Sequence, residues 1–291
     1  MKTEKAARRR SRAQAAGLAP APLALALCLS AALAFAALHA APAAAQRGRQ
    51  AAQAPPAVTQ ELLAELEAKA ADGDPDAMFG LAVLCFYGEG TAQDPARAVD
   101  LLEKGAAKGH PMSLSFLGQL YETGTSVPKD VKKAAGYYAK AAEKGDVTAE
   151  LALGGIYYYG ADGVKADPKR AFRHFSRAAE QGQHQAQLML GAMYESGTGT
   201  AKDPAKSWEF FMKAADSPDD RGEGALAVGD IYISGRNPTV PQDLEKGREY
   251  YRRAAAHNVK EAAERLALLD RAQAEAAAER QEAGKAQGRK K

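Results

Sequence analysis

Three short stretches of this 291-residue chain carry residue types that do chemistry in other settings. Ser126-Val127-Pro128-Lys129 fits S-x-x-K, the serine-nucleophile motif of penicillin-interacting enzymes. That chemistry needs Ser at a helix start and Lys one turn later on the same face. Pro128 and a helix-capping Asp130 instead put the tetrapeptide in a turn, and neither S-D-N nor K-T-G occurs elsewhere. Asp72, Asp74 and Asp76 read D-x-D-x-D, the opening of a calcium loop. Ala77 and Val83 occupy the positions where that loop needs Gly and Glu, so a capping turn is the simpler reading. His110, His174, His184 and His257 offer no i, i+4 pair and no H-E-x-x-H, and three of them fall in turns. Gly197-Thr198-Gly199 lacks the third glycine of a dinucleotide loop, and P-loop and G-x-S-x-G patterns are missing. These residues predict no cofactor, no metal site and no assembled nucleophile, base and oxyanion set.

The elements that hold them are far more regular than the motifs. Leu117-Gly118, Tyr121, Gly124, Asp130, Ala134, Tyr138, Lys140, Ala141-Ala142 and Gly145 recur as Leu153-Gly154, Tyr157, Gly160, Asp167, Ala171, Phe175, Arg177, Ala178-Ala179 and Gly182. Five such units follow one another at 36 to 40 residues, starting near Asp76, Met112, Thr148, Gln185 and Glu223 and ending at 257. A period of this length is the mark of a stacked helical array. Ala149, Leu153 and Tyr157 fall on one face of a first helix, where Gly154 lets a neighbour come close. Asp94-Pro95, Asp167-Pro168 and Asp203-Pro204 open the second helices: Asp accepts from a free first-turn N–H, and Pro has none to waste. Gly109, Gly145 and Gly182 suit the left-handed position after a helix end. Lys104, Lys140, Arg177, Lys213 and Arg253 sit near helix C-termini, where a cation complements the dipole.

Local departures are few. Repeat three carries an extra residue near Gly160-Ala161-Asp162-Gly163, repeat four ends Asp216-Ser217-Pro218-Asp219-Asp220 without its Gly, and a longer loop at 235–241 interrupts repeat five. Residues 58–75 form an N-terminal capping helix, with Thr59 as its cap and Leu62, Leu63, Leu66 and Ala70 on one face. Residues 258–272 close the stack, and 273–291 are a charged tail, helical or disordered.

Charge separates the ends from the array. The net charge is +3, but residues 1–45 hold six Lys and Arg against one Glu, which leaves −2 for residues 46–291. A nucleic-acid partner is therefore not expected. Arg8-Arg9-Arg10, an apolar run from Leu23 to Leu38, and Ala43-Ala44-Ala45-Gln46 read as a signal peptide cleaved near Ala45, giving a periplasmic or secreted protein. An uncleaved inner-membrane anchor is the competing reading. Cys28 lies mid-run after Leu27 and is no lipid-attachment site, and residues 46–57 read as a linker. Cys85 stands where other repeats have Tyr121, Tyr157, Tyr194 and Tyr232, and is expected to be a small buried hydrophobe.

Gly124, Asp130, Lys133-Ala134, Tyr137-Tyr138, Lys140-Ala141-Ala142 and Gly145 resemble a Sel1-like repeat, a relative of the tetratricopeptide repeat. The resemblance implies an all-α fold, a right-handed superhelix of helix pairs with the first helices lining its concave side. It also implies an adaptor or regulator in a multi-protein assembly. Some exported bacterial members are cysteine-rich, with a disulfide inside each repeat. The single cysteine after the leader departs from them, so the penicillin-binding or hydrolase properties claimed for that group are not carried over.

Transferring the repeat pattern, the inward positions are Phe79, Val83, Phe86 and Tyr87 in repeat one and Phe116, Gln119 and Glu122 in repeat two. Leu151, Tyr158 and Tyr159 follow in repeat three, Met189 and Glu195 in repeat four, and Asp230 and Ile233 in repeat five. Paired aromatics at 86–87 and 158–159 have the composition of binding hot spots. Glu122, Glu195 and Asp230 would give the groove an acidic rim suited to an apolar or basic segment. The expected function is a non-enzymatic scaffold or regulator of the bacterial cell envelope that binds a protein or peptide, such as a membrane sensor or an envelope complex. A cell-wall hydrolase and a membrane-tethered assembly factor with an uncleaved leader are the alternatives.

Overall fold

Most of the described helices begin and end where their backbone groups find side-chain or turn partners. The structure, a computed structural model, describes residues 58–288, with side chains to residue 281. The segments expected to be a leader with its cleavage site and a linker at 46–57 lie outside the described residues. Those described are mostly helical and divide into two compact units, 58–186 with 198–201, and 187–197 with 202–288.

The first unit holds α1 (Gln60–Ala71), α2 (Pro75–Tyr87), α3 (Pro95–Ala107), α4 (Pro111–Thr123), α5 (Val131–Ala142), α6 (Val147–Tyr159) and α7 (Pro168–Glu180). Each packs on the next, and the first helices α4 and α6 of neighbouring repeats also touch. Thr59 accepts from the Leu62 N–H and starts α1 where expected. Leu63, Leu66 and Ala70 turn inward, whereas Leu62 is 44 % exposed and falls outside the predicted face. Most of α8 (His184–Ser196) belongs to the second unit, with α9 (Pro204–Ala215), α10 (Glu223–Ser234), α11 (Leu244–Ala256) and α12 (Lys260–Gly288). The last of these is one helix from the capping segment into the tail, with no break at residue 272.

One aspartate closes every helix pair. Its carboxylate caps the second helix: Asp94, Asp130 and Asp167 accept from the N–H three residues on, at 2.9, 2.9 and 3.0 Å. Asp203 and Asp243 each accept from two first-turn N–H groups at 3.1 Å. The backbone N–H of the same residue reaches back to the first helix. Asp130 donates to the Tyr121 carbonyl at 2.8 Å and Asp167 to Tyr157 at 2.7 Å. Asp94 to Cys85, Asp203 to Tyr194 and Asp243 to Tyr232 complete the set at 2.8, 2.9 and 3.0 Å. Each cap contributes about 0.5–2 kcal/mol. The carbonyl it ties is one of the four that a helix end leaves without an internal partner.

Packing inside each pair is a fit of small to large. A Cβ built on Gly118 would stand 2.7 Å from the Tyr138 ring, on Gly191 2.8 Å from Phe211, and on Gly229 2.6 Å from Tyr251. Gly154 meets Phe175 in the same way. Repeat one has Ala82 and Leu102 at the two positions, both fully buried, so a larger residue on one helix goes with a smaller one on the other.

Where repeat four lacks its terminal Gly, Gly222 takes the left-handed turn with φ +97°. The buried Asp220 carboxylate accepts from the N–H groups of Gly222, Gly224 and Ala225 at 3.0, 3.0 and 3.2 Å, and so starts α10 from outside it. At the C-terminal end, Arg265 of α12 pairs with the buried Asp230 of α10. Arg248 donates to the Leu269 carbonyl at 3.0 Å and pairs with Asp270 at 3.1 Å. These cations fasten the last helix to repeat five.

The small-to-large fit predicts coupled mutations. Gly191→Ala should lower the melting temperature, because overpacking costs about 1–3 kcal/mol while helix propensity returns only about 1 kcal/mol. Phe211→Leu should destabilise on its own, and the double variant should lose less than the two singles added together. Simple additivity in thermal denaturation would contradict the fit.

Candidate functional site

The aspartates and two of the histidines in the motifs that imitate metal sites make structural contacts. Asp74 caps α2, accepting from Asp76 and Ala77 N–H groups at 2.9 and 3.3 Å. Asp76 takes the His110 Nε2 at 2.9 Å, while His110 Nδ1 faces the Ser113 hydroxyl at 2.9 Å and caps α4. That histidine therefore joins repeat one to repeat two. His174 lies 2.6 Å from the buried Glu150, which also takes Arg177 at 3.3 Å. Ser126 sits exposed in the turn before α5 with a left-handed φ of 63°, and Lys129 is on the same turn rather than one helical turn away. Cys85 is fully buried, and burial pushes its thiol up from the ordinary range, away from the reactive thiolate.

A ladder of cations runs along the second helices. Three residues after each capping aspartate stands a cation, and in repeats two to five it lies against the first-helix tyrosine. Lys133 is 3.9 Å from the Tyr121 ring centroid and donates to its hydroxyl at 2.5 Å. Arg170 lies 3.7 Å from the Tyr157 ring, Lys206 5.3 Å from Tyr194 and Lys246 5.5 Å from Tyr232. The same tyrosines stack on a ring seven residues after the aspartate: Tyr137, His174, Phe210 and Tyr250, at 5.6, 5.5, 5.7 and 5.9 Å. Each cation–ring contact contributes about 0.5–1 kcal/mol at such exposed places. Repeat one has Cys85 and Leu101 there, and its cation, Arg97, turns to Glu67 of α1 at 2.9 Å. The column Arg97, Lys133, Arg170, Lys206, Lys246 was present in the sequence as a fixed offset from Asp.

The predicted binding positions divide sharply. In the first unit Phe79, Phe86, Tyr87 and Phe116 form one aromatic cluster. Phe86 meets Tyr87 at 5.1 Å and Phe116 at 5.3 Å, and Phe79 meets Phe116 at 6.4 Å. Val83 and Gln119 are half-buried beside it on α2 and α4, while Tyr87 is 58 % exposed. Tyr158 packs on Tyr159 at 4.9 Å and on Phe175 at 6.3 Å, leaving Tyr159 45 % exposed. Both exposed tyrosines occupy the last residue of a first helix, each backed by a ring that is itself partly buried. A large apolar side chain held out on rigid support is the form a hot spot takes.

Other positions are not surface. Leu151 and Met189 are buried, so neither offers the surface contact expected of it. Asp230 is 3 % exposed and accepts from the Tyr251 hydroxyl at 2.6 Å as well as from Arg265, so it belongs to the core and not to a rim. Glu195 pairs with Arg236 at 2.9 Å and Glu122 accepts from the Tyr138 hydroxyl at 2.8 Å. Ile233 is half-buried over Gly247. The expected acidic rim therefore loses Asp230 to the core, while Glu122 and Glu195 are half-buried and engaged with Tyr138 and, across repeats, with Arg236. Among the described residues no helix is long and apolar enough to cross a membrane.

Tied helix pairs and stacked rings at a fixed period define a helical-repeat protein. The chain belongs to the Sel1 repeat family, whose pattern matches residues 75–110, 111–146, 147–183, 184–219 and 222–259. A Sel1 repeat protein from Oxalobacter formigenes is similar over 68 % of this chain and 79 % of its own, at 28 % identity and a TM-score of 0.63. A protective antigen present in uropathogenic Escherichia coli strains, displaying an SLR fold, is similar over 70 % of this chain at 28 % identity and a TM-score of 0.54. The match spans 50 % of that antigen. No curated protein matches the chain. Sel1 repeat proteins are in general protein-interaction scaffolds.

Two chemical outcomes follow. A labelled β-lactam should leave the protein unmodified, and a covalent label that disappears in Ser126→Ala would show the turn to be an active serine. Thiol reagents should modify Cys85 slowly in the native state and rapidly in denaturant; equal rates would contradict its burial.

Proposed function

We propose that this protein is a non-enzymatic scaffold of the cell envelope that captures a polypeptide partner on the first-helix face of its early repeats. The observation that carries this reading is the pair of exposed tyrosines, Tyr87 and Tyr159, each ending a first helix and each seated on a second ring. Neither position is demanded by the repeat, whose own tyrosine lies two residues earlier at Cys85 and Tyr157. Capture by such a surface would use aromatic anchors, with Phe86 and Phe116 supporting Tyr87 and Tyr158 supporting Tyr159. A membrane sensor or another envelope component is the partner class, and the leader before Gln46 is the basis for that location.

Tyr87→Ala combined with Tyr159→Ala should weaken partner capture from envelope extract by about tenfold or more. The far-UV circular dichroism should be unchanged and the melting temperature nearly so, since exposed substitutions cost about 0.5 kcal/mol or less. An unchanged set of captured proteins at unchanged yield would remove this face as the site. N-terminal sequencing of the exported form should begin at Gln46; a membrane-bound form that keeps residues 1–45 would favour a tethered assembly factor instead.

A further inference from the structure

The stretch from the turn before α5 through most of α7 carries an excess of positive charge within the array. From residue 129 to 177 ten Lys and Arg stand against six Asp and Glu, a net +4, although residues 46–291 together carry −2. An open groove of about 720 Å³ lies in this region, between α5 and the segment that joins α6 to α7. Its floor is Ala135, Gly136 and Ala139 of α5, and its walls carry Lys132, Lys165, Lys169 and Arg170. Asp167 is the one carboxylate in the lining, and it is engaged in capping α7. Lys132, Lys165 and Lys169 are exposed and make no ion pair among the described residues.

Two departures from the repeat open this groove. Six residues after the capping aspartate the other repeats place Asp100, Arg173, Glu209 and Glu249; repeat two alone has Gly136. A Cβ built there meets nothing within 4 Å, so no packing requires the glycine, and a glycine inside a helix costs about 0.5–1 kcal/mol relative to alanine. Its effect is to leave the floor bare of the charged side chain that covers the helix elsewhere. The extra residue of repeat three supplies the opposite wall. Ala161 and Val164 exchange N–H···O bonds at 2.9 and 2.8 Å around Gly163, whose φ is +81°. That tight loop stands beside Lys132, with the Gly163 Cβ position 3.8 Å from the Lys132 Cβ.

We propose that this groove binds an acidic, extended segment of a partner polypeptide. A peptide backbone can approach the Ala-Gly-Ala floor closely, and carboxylates on either side of it would meet the four cations. Charge complementarity of this kind sets orientation and association rate more than raw affinity. The site differs from the aromatic face in its chemistry and in its lining, which includes neither Tyr87 nor Tyr159.

The test is fluorescence anisotropy with a short labelled peptide of Glu and Asp spaced by Gly. The protein should bind it with an affinity that falls steeply with added salt. Lys165→Glu with Lys169→Glu should weaken binding about tenfold or more. Gly136→Gln, which covers the floor without changing charge, should weaken it as well. Lys140→Glu with Lys144→Glu, an equal charge change on α5 and its end but outside the groove, should alter it by about twofold or less. The proposal is overturned if the wild type does not bind, or if the control weakens binding as much as the groove variant. It also fails if the groove lysines are needed only for vesicles of anionic phospholipid and the peptide does not bind.

Discussion

Everything in this protein depends on one two-way tie. The aspartate between the helices of a repeat gives its carboxylate to the second helix and its backbone N–H to the end of the first. One residue thus satisfies orphan groups of both helices and ties their ends together. The tie recurs in all five repeats although the turns differ in length, by one residue in repeat three and by more in repeat five. Insertions are absorbed ahead of the aspartate, which keeps the helices in register.

Two further regularities hang on that tie. Holding the carbonyl of the first-helix tyrosine places its ring beside the cation and the ring of the second helix, and the cation–tyrosine contacts repeat accordingly. It also presses the first-helix glycine onto the ring eight residues after the aspartate, so that one Cβ is the whole tolerance of the contact. Repeat one shows what happens when the column is left: Cys85 fills the tyrosine place, Leu102 the ring place, and Ala82 regains its methyl group. The liberated Arg97 then secures the capping helix through Glu67.

The caps, turns and helix starts were legible in the sequence because each depends on residues within one turn of the chain. Asp94, Asp167 and Asp203 with their prolines, and Gly109, Gly145 and Gly182 with φ of +78°, +87° and +84°, stand where local chemistry put them. Side-chain destinations were not legible in the same way. Asp230 reads as a solvent-facing acid until Arg265, 35 residues on, reaches it. Met189 and Leu151 share the periodicity of exposed neighbours and are buried all the same. The basic groove needs a deletion of bulk on α5 and an insertion before α7, and neither signals the other along the chain. What the candidate surfaces have in common is departure from the repeat: Tyr87, Tyr159 and Gly136 fill no slot that the fold requires.

Native-state hydrogen exchange at the aspartate amides tests the two-way tie directly. Asp94 and Asp130 are exposed residues in turns, where an untied N–H would exchange at nearly the unfolded rate. Donation to the Cys85 and Tyr121 carbonyls predicts protection close to that of the flanking helix interiors. Exchange as fast as in the preceding turn residues would contradict it, and with it the account of how these helix pairs are held.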